Sequence, residues 1–533
     1  MEEEYASKNL DHLGIVSVVC EEIGLKDKVD ELMPPDPQMT ITLGECLKLM
    51  IINGLGFSSR PLYLEAQFFE SRPVQRFLGR ECPSEINDDR LGKALDRFYE
   101  FGCDRLFALL ASQAAIRYGI SERFKHIDST SMEVHGEYRS DEESPLISFG
   151  YSKDHRPDLK QFMIYLMSSQ DGDVPLLAQT VAGNSSDKKL FCENLKALKT
   201  QIQEGAESYF VADSALFTAE TIQDISSKMK WITRVPETIV GAKTVILSTE
   251  TLEQIEPGYL GTEVRSSYGG VNQRWLLVYS EQAHIREEKT LRKQAVKEFE
   301  KKNSELKKIS IQEFDCEEDA KKTFHRWAKG LKYHRVANIQ IISRHVKTGR
   351  GRPRLGESLS KSYRIVAEIE EDAEHISHLL STKGRFLIAT NELDAKKLSS
   401  RDLLSNYKEQ QAVERGFRFL KDPFFMTSSV FLKNQGRIVA LGMVMCLCLL
   451  CYTIAQRFLR KKLQELRASI PNQVGKPTQK PTMRWVFQLF EGVHLLIRKI
   501  SSGVQEIVLN LNKVRHQILS VLGPPFEKIY SGT

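Results

Sequence analysis

Residues 124–138 read FKHIDSTSMEVHGEY, and the period of that stretch decides the class of fold. His126, Asp128, Thr130, Met132 and Val134 alternate with their neighbours, which places them on one face of a β-strand. Upstream the period is different. Within residues 1–120, TITLGECLKLMIINGLG (40–56) and DDRLGKALDRFYEFGCDRLFALLASQAAIRYG (88–119) space their apolar residues at helical intervals, the first after threonines suited to capping. Downstream, QFMIYLMSS (161–169) and VPLLAQTVA (174–182) flank the turn QDGD, the pattern of a hairpin. A helix over about 187–203, the buried strand SYFVAD (208–213) and a short helix from Thr218 follow. Sheet and helices therefore alternate, and an α/β core is expected.

From about Trp231 to Ser381 that core is interrupted by strand-like RWLLVYS (274–280), VANIQIIS (336–343) and SYRIVAEIE (362–370), with a long charged helix between them. The core pattern resumes at GRFLIATN (384–391), followed by helices at about 394–421 and 434–463. The expected organisation is a helical N-terminal domain over 1–120, possessing DNA-binding potential, and a core in two parts, 121–230 and 382–463. An insertion over 231–381 separates those parts, and a basic helical region occupies 464–533. At 533 residues, 41% hydrophobic and 27% charged, the chain suits a soluble protein of several domains and excludes global disorder, collagen and a disulfide scaffold. Nine cysteines without a regular framework, and a start, MEEEYASKN, lacking a basic and an apolar segment, point to the cytoplasm.

Charge is unevenly spread. Residues 284–355 hold 20 Lys/Arg against 10 Asp/Glu, and residues 456–519 hold 12 against 3, so the rest of a chain of net charge +5 carries −14. Two basic segments on an acidic body suit a polyanion held along defined surfaces, with nucleic acid as the leading candidate. A solvated lysine-rich helix face is the competing explanation for 284–308.

Three carboxylates stand out by position: Asp128 on the first core strand, Asp213 at the end of YFVAD, and Glu414 within YKEQQAVERGFRFLK (407–421). An acid among apolar strand neighbours must be paired or must hold a cation. Two strand aspartates and a helix glutamate supply hard oxygen ligands, leaving room for waters and a substrate phosphate around Mg²⁺ or Mn²⁺. Taken singly, each acid could equally be a salt-bridge partner or a helix cap.

HIDSTSMEVHGEY (126–138), GYSKDHRPDLKQ (150–161), GNSSD (183–187), VADSALFT (211–218), FLIATN (386–391) and the segment from Tyr407 to Lys421 occur in consistent order. Together they resemble the IS4-like DDE class of insertion-sequence transposases, particularly the IS1634 group. The last segment resembles that family's Tyr-x2-Arg-x3-Glu-x6-Lys signature through Tyr407, Glu414 and Lys421, with Gln410 at the arginine position. The resemblance spans about 124–460. It implies an RNase H-like catalytic core with a β-rich insertion between the second and third acids, and Asp128, Asp213 and Glu414 as catalytic triad and metal ligands. The 201 residues from Asp213 to Glu414 agree, since a compact nuclease core needs far fewer. It further implies two Mg²⁺ or Mn²⁺ ions serving attack by water, and then by a DNA 3′-hydroxyl, on phosphodiester bonds. The partners implied are double-stranded DNA at terminal inverted repeats and a second copy of the chain, a homodimer on the DNA ends.

On a continuous helix at 100° per residue, Tyr407, Gln410, Glu414, Arg418 and Lys421 share one face. Gln410 brings no charge, so Arg418 is the expected substitute for the missing arginine as a DNA contact, against the alternative of a surface ion pair. RGRP, with Arg350, Arg352 and Arg354 in and beside it, suits entry into a narrow minor groove or a merely flexible basic loop. Lys153, His155 and Arg156 could approach phosphate. Trp231 and Trp275 could stack on a distorted base, although core packing suits both better. Ile438–Ala455 is an uncharged run of 18 residues, at the lower limit for a membrane span; basic flanks and three cysteines favour a buried core helix, and no membrane association is expected. Cys446, Cys448 and Cys451 lack the second pair that zinc requires and suit an interior thiol cluster. Competing functions are a catalytically inactive DNA-binding derivative, a membrane-anchored protein, and a host RNase H-like nuclease without strand transfer.

Overall fold

The computed structural model describes all residues except 1–3, 36–39, 58–64, 81–85, 135–137, 139–145, 153–155, 186–207, 249, 347–359, 423–433, 501–502 and 533. A short strand, β1 (Glu4–Asn9), precedes the helices α1 (Leu13–Ile23), α2 (Leu25–Leu32), α3 (Leu43–Gly54), α4 (Glu65–Glu70), α5 (Val74–Leu78), α6 (Asp88–Phe101) and α7 (Cys103–Tyr118). The expected threonine cap is present at α3. Thr42 accepts from the Glu45 backbone N–H and Glu45 accepts in return from that of Thr42, a reciprocal capping box.

The core follows with β2 (Phe124–Val134), β3 (Lys160–Ser169), β4 (Pro175–Ala182), β5 (Tyr209–Ala212), α8 (Ala219–Ser226), β6 (Lys230–Val235) and α9 (Val240–Ile246). The hairpin at QDGD forms, with Gly172 and Asp173 both at positive φ. Next come β7 (Glu253–Glu256), β8 (Tyr259–Tyr268), β9 (Val271–Ser280), the long α10 (Glu281–Ile311), α11 (Glu317–Ala328), β10 (His334–Val346), β11 (Ser360–Glu371), α12 (Ala373–Ser381) and β12 (Arg385–Thr390). The chain ends through α13 (Ser400–Lys408), α14 (Gln411–Leu420), α15 (Gln435–Glu465), α16 (Met483–Leu489), β13 (His494–Ile500), β14 (Gly503–Leu509), α17 (Lys513–Leu522) and α18 (Pro524–Ile529).

Nine strands form one sheet in the order β4-β3-β2-β5-β6-β12-β9-β8-β7. Its first five are an antiparallel β4-β3-β2 meander continued by β5 and β6 parallel to β2, which is the RNase H-like arrangement. β12 then pairs antiparallel with both β6 and β9. Residues 231–235 and 253–280, expected in the insertion, therefore belong to the core sheet. What protrudes from it is smaller: α10, α11 and the ribbon β10–β11, packed around Leu306, Phe314, Phe324, Trp327 and Ile365. The expected helix over 187–203 lies outside the described residues.

Helix α15 is the axis of the largest core cluster, where it packs against α1, α3, α6, α7 and β4. It is long and apolar enough to cross a membrane, but 83% of its apolar window is buried inside the protein, as a core helix requires. Cys446, Cys448 and Cys451 are buried there, and burial pushes the Cys446 thiol up to about 12, so it stays protonated. Trp231 and Trp275 are likewise core residues. The C-terminal region is not purely helical, because β13 pairs with β1 on one side and β14 on the other and so ties the two ends of the chain together.

His12, buried ahead of α1, joins those ends to the core. Its Nε2 lies 2.8 Å from the Leu55 carbonyl oxygen and its ring stacks on Phe487 at 4.2 Å. Burial, partly offset by that carbonyl, lowers its pKa from 6.5 to about 4. The unfolded chain thus takes up the proton first: stability is complete above pH 6.5 and declines as pH falls towards 4, by roughly 3 kcal/mol in the limit. Melting temperatures at pH 7 and pH 4.5 should fall further for the wild type than for His12→Phe, which keeps the stack but cannot titrate; equal falls would refute the assignment.

Candidate active site

Strand register brings the expected residues towards one place. β2 and β5 run parallel with Lys125 beside Phe210 and His126 beside Val211, so continuing the register puts Asp128 level with Asp213, just past the end of β5. β5 and β6 pair Ala212 with Thr233, so Asp213 is in turn level with Arg234. Alternation places all three on the same face of the sheet. Asp128 is half-buried and its Oδ1 accepts from the Ser129 N–H at 2.7 Å. Asp213 is exposed; its Oδ1 caps the turn Ser214–Leu216 by accepting from the Ala215 N–H at 2.9 Å, while its carbonyl accepts from Thr233 Oγ1 at 2.7 Å.

Two helices cover that face. α13 lies over β5, β6 and β12, and α14 over β2 and β3. Leu166 pairs with Asp128 across β2–β3, and a Cβ built on Gly416 of α14 would lie 3.7 Å from the Leu166 Cδ2 and 3.2 Å from the Leu449 Cδ2. Hence α14 crosses the sheet at the level of Asp128, two residues beyond Glu414. Glu414 sits exposed in its first turn.

Tyr407, half-buried at the end of α13, reports on the space between. Burial raises the pKa of its phenol, the positive charge of the Arg234 guanidinium pulls it back, and the carboxylates of Asp213 and Glu414 push it up again. Tyr407, Arg234, Asp213 and Glu414 therefore share one electrostatic neighbourhood. Among the described residues, however, no three His, Cys, Asp or Glu side chains converge closely enough to hold a metal ion. The donor set suits a hard cation by chemistry, with two carboxylates on that face of the sheet and a third on the helix that covers it.

The single helix expected over Tyr407–Lys421 is two. α13 ends at Lys408, and Gln410 donates its N–H to the Tyr407 carbonyl at 3.2 Å in a tighter turn before α14 begins. Neither Gly nor Pro marks the break. Glu409 and Gln410 keep right-handed helical backbone angles across it, and the two helices lie over different strands, one over β5, β6 and β12 and the other over β2 and β3. The start of α13 is also fixed from outside. Arg274, fully buried on β9, pairs with Glu263 at 3.2 Å and donates to the Leu398 carbonyl, and Glu263 accepts from Ser400.

A family model described as transposase DDE domain matches residues 121–451, more than half of the chain. The chain belongs to the DDE transposase family. Its activity is accordingly DNA transposition, the cutting and joining of DNA. Residues 5–112 match a domain of unknown function, DUF4277. No curated protein matches the chain. Among solved structures, a piggyBac transposase synaptic complex with hairpin DNA is similar at 11% identity and a TM-score of 0.39, over 92% of this chain and 83% of that one.

The remaining expected contacts of the transposase divide. Arg418 is exposed on α14 and, among the described residues, makes no ion pair; Lys421 caps the end of that helix. Arg156 is held bidentately by Asp158 at 2.7 and 2.9 Å. Arg350, Arg352, Arg354, Lys153 and His155 lie outside the described residues. Arg234 was missed by sequence reasoning. Its local signal is a cation near the end of the strand KWITRV, which also begins with Lys230, and only strand register makes that informative.

Proposed function

We propose that this transposase is of the IS4-like class, in the IS1634 group, and that it cuts and joins the terminal inverted repeats of its own insertion sequence. Asp128, Asp213 and Glu414 are the catalytic acids and would hold two Mg²⁺ or Mn²⁺ ions, which supply Lewis-acid stabilisation of phosphodiester oxygens when bound. The observation that carries this reading is the shared level of Asp128, Asp213 and Arg234 beneath Tyr407 and Glu414.

The chain's own groups have separable tasks. The Ser129 and Ala215 N–H groups fix the two aspartates in orientation. Arg234 sets its positive charge beside the Tyr407 phenol, where both groups can meet a phosphate oxygen. Gln410, Arg418 and Lys421 lie along the DNA backbone beyond it. Arg350, Arg352 and Arg354 enter the minor groove, two protomers bring two ends together, and the reaction takes place in the cytoplasm.

Incubation with a duplex carrying the matched inverted repeats that flank its gene tests this. Nicking and strand transfer are expected in Mg²⁺ and should stop in EDTA. Cleavage without joining would instead indicate a host nuclease, and binding without either would indicate an inactive derivative.

A further inference from the structure

Two large aromatic side chains stand in solvent along the chain from the acids: Phe149 is 59% exposed and Tyr151 82%. Their backbone is rigidly built. Ser148 bridges to Gln161 through hydrogen bonds of 3.1 and 3.0 Å, and the buried Gln161 amide donates to the Tyr151 carbonyl at 3.2 Å and the Gly183 carbonyl at 2.8 Å. Glycine is required where these strands cross. A Cβ on Gly150 would meet the Gly183 oxygen at 2.0 Å, and one on Gly183 would meet the Gln161 oxygen at 2.0 Å. Ser152 donates to Glu133 of β2 at 3.3 Å, and Lys160 Nζ lies 5.8 Å from the Phe149 ring.

A fixed backbone that holds two rings in water calls for a ligand. Two rings are too small an apolar area for a stable protein interface, which needs about 800 Å² per partner. They do match the flat face of a nucleobase, and the cation beside Phe149 suits the attached phosphates. Position agrees as well. Gln161 pairs with Glu133 and Leu166 with Asp128, so Ser148, bridged to Gln161 and next to Phe149, stands five residues along β3 from the acid's partner, about 17 Å at strand spacing. That is roughly five nucleotide steps of a strand laid across the site. We propose that Phe149 and Tyr151 form a stacking shelf for unpaired bases of the DNA near the cut. Bases inside a duplex have both faces covered, so unpaired ones are the occupants. This rests on the site assignment made above for Asp128, Asp213 and Glu414.

The test uses the full chain in EDTA with an element-end duplex carrying 2-aminopurine, one position at a time, in a short unpaired tract beside the cut. The wild type should change its fluorescence at one or two positions. The double variant Phe149→Leu, Tyr151→Leu should lose that change and bind the unpaired tract on the order of tenfold more weakly, with fully paired DNA bound as before. Tyr151→Trp should retain both. Because the side chains are exposed, unchanged melting should accompany the loss. A double variant that matches the wild type on the unpaired tract overturns the shelf, as does one that loses only self-association. A wild type that cuts its ends in Mg²⁺ alongside such a variant leaves the acids in place, whereas a wild type that neither binds nor cuts them overturns the underlying site assignment.

Discussion

Alanine at Asp128, Asp213 or Glu414 is expected to reduce cleavage of cognate ends on the order of 10³-fold or more, with end binding largely unchanged. Residues acting as one unit lose nearly everything when one is removed, and none of the three is placed to read DNA sequence. Folding should survive. Asp213 and Glu414 are exposed and Asp128 is half-buried, so no deep cavity is opened. Asp213 also caps the turn after β5, and Asp213→Asn separates the two roles: the amide oxygen can still accept from Ala215, but the charge is gone. Cleavage by Asp213→Asn should therefore be as poor as by Asp213→Ala at a melting temperature closer to the wild type. If any alanine variant cuts at near wild-type rate in Mg²⁺, that acid is not a ligand.

Arg234→Ala is expected to slow cleavage by pre-assembled end complexes about 10- to 100-fold, the range of a charge-assisted hydrogen bond. The missing arginine of the Tyr407–Lys421 segment motivates this. Arg418 is the natural substitute on a continuous helix, but the chain turns more tightly at Glu409–Gln410, and Arg234, paired with Glu237 at 3.5 Å, is the cation whose charge acts on the Tyr407 phenol. Its guanidinium is also held 5.6 Å from the Phe386 ring, which limits the entropy lost on engaging a phosphate. Arg234→Lys should recover part of the rate, since charge remains but the planar fork does not. Arg418→Ala and Gln410→Ala should cost less, and an Arg418→Ala loss equal to that of Arg234→Ala would remove the distinction between them.

Local sequence determined the elements and where along them Asp128, Asp213 and Glu414 fall. Period-two alternation in 124–134, the apolar run before Asp213 and the helical spacing around Glu414 depend only on neighbours along the chain, and each element formed near its expected place. Tertiary structure decided what stands beside what. β12 inserts between β6 and β9, β1 pairs with β13 from the far end of the chain, and Arg234 comes level with Asp213 through a register that no local period encodes. The placing of α13 belongs with these, because its start is held by Arg274 reaching from β9 to the Leu398 carbonyl and its length lies over β5, β6 and β12. Hydrogen-bond partners across a sheet are chosen by burial and twist over the whole domain, and so the sequence could single out three acids by position but not that Arg234 stands level with two of them.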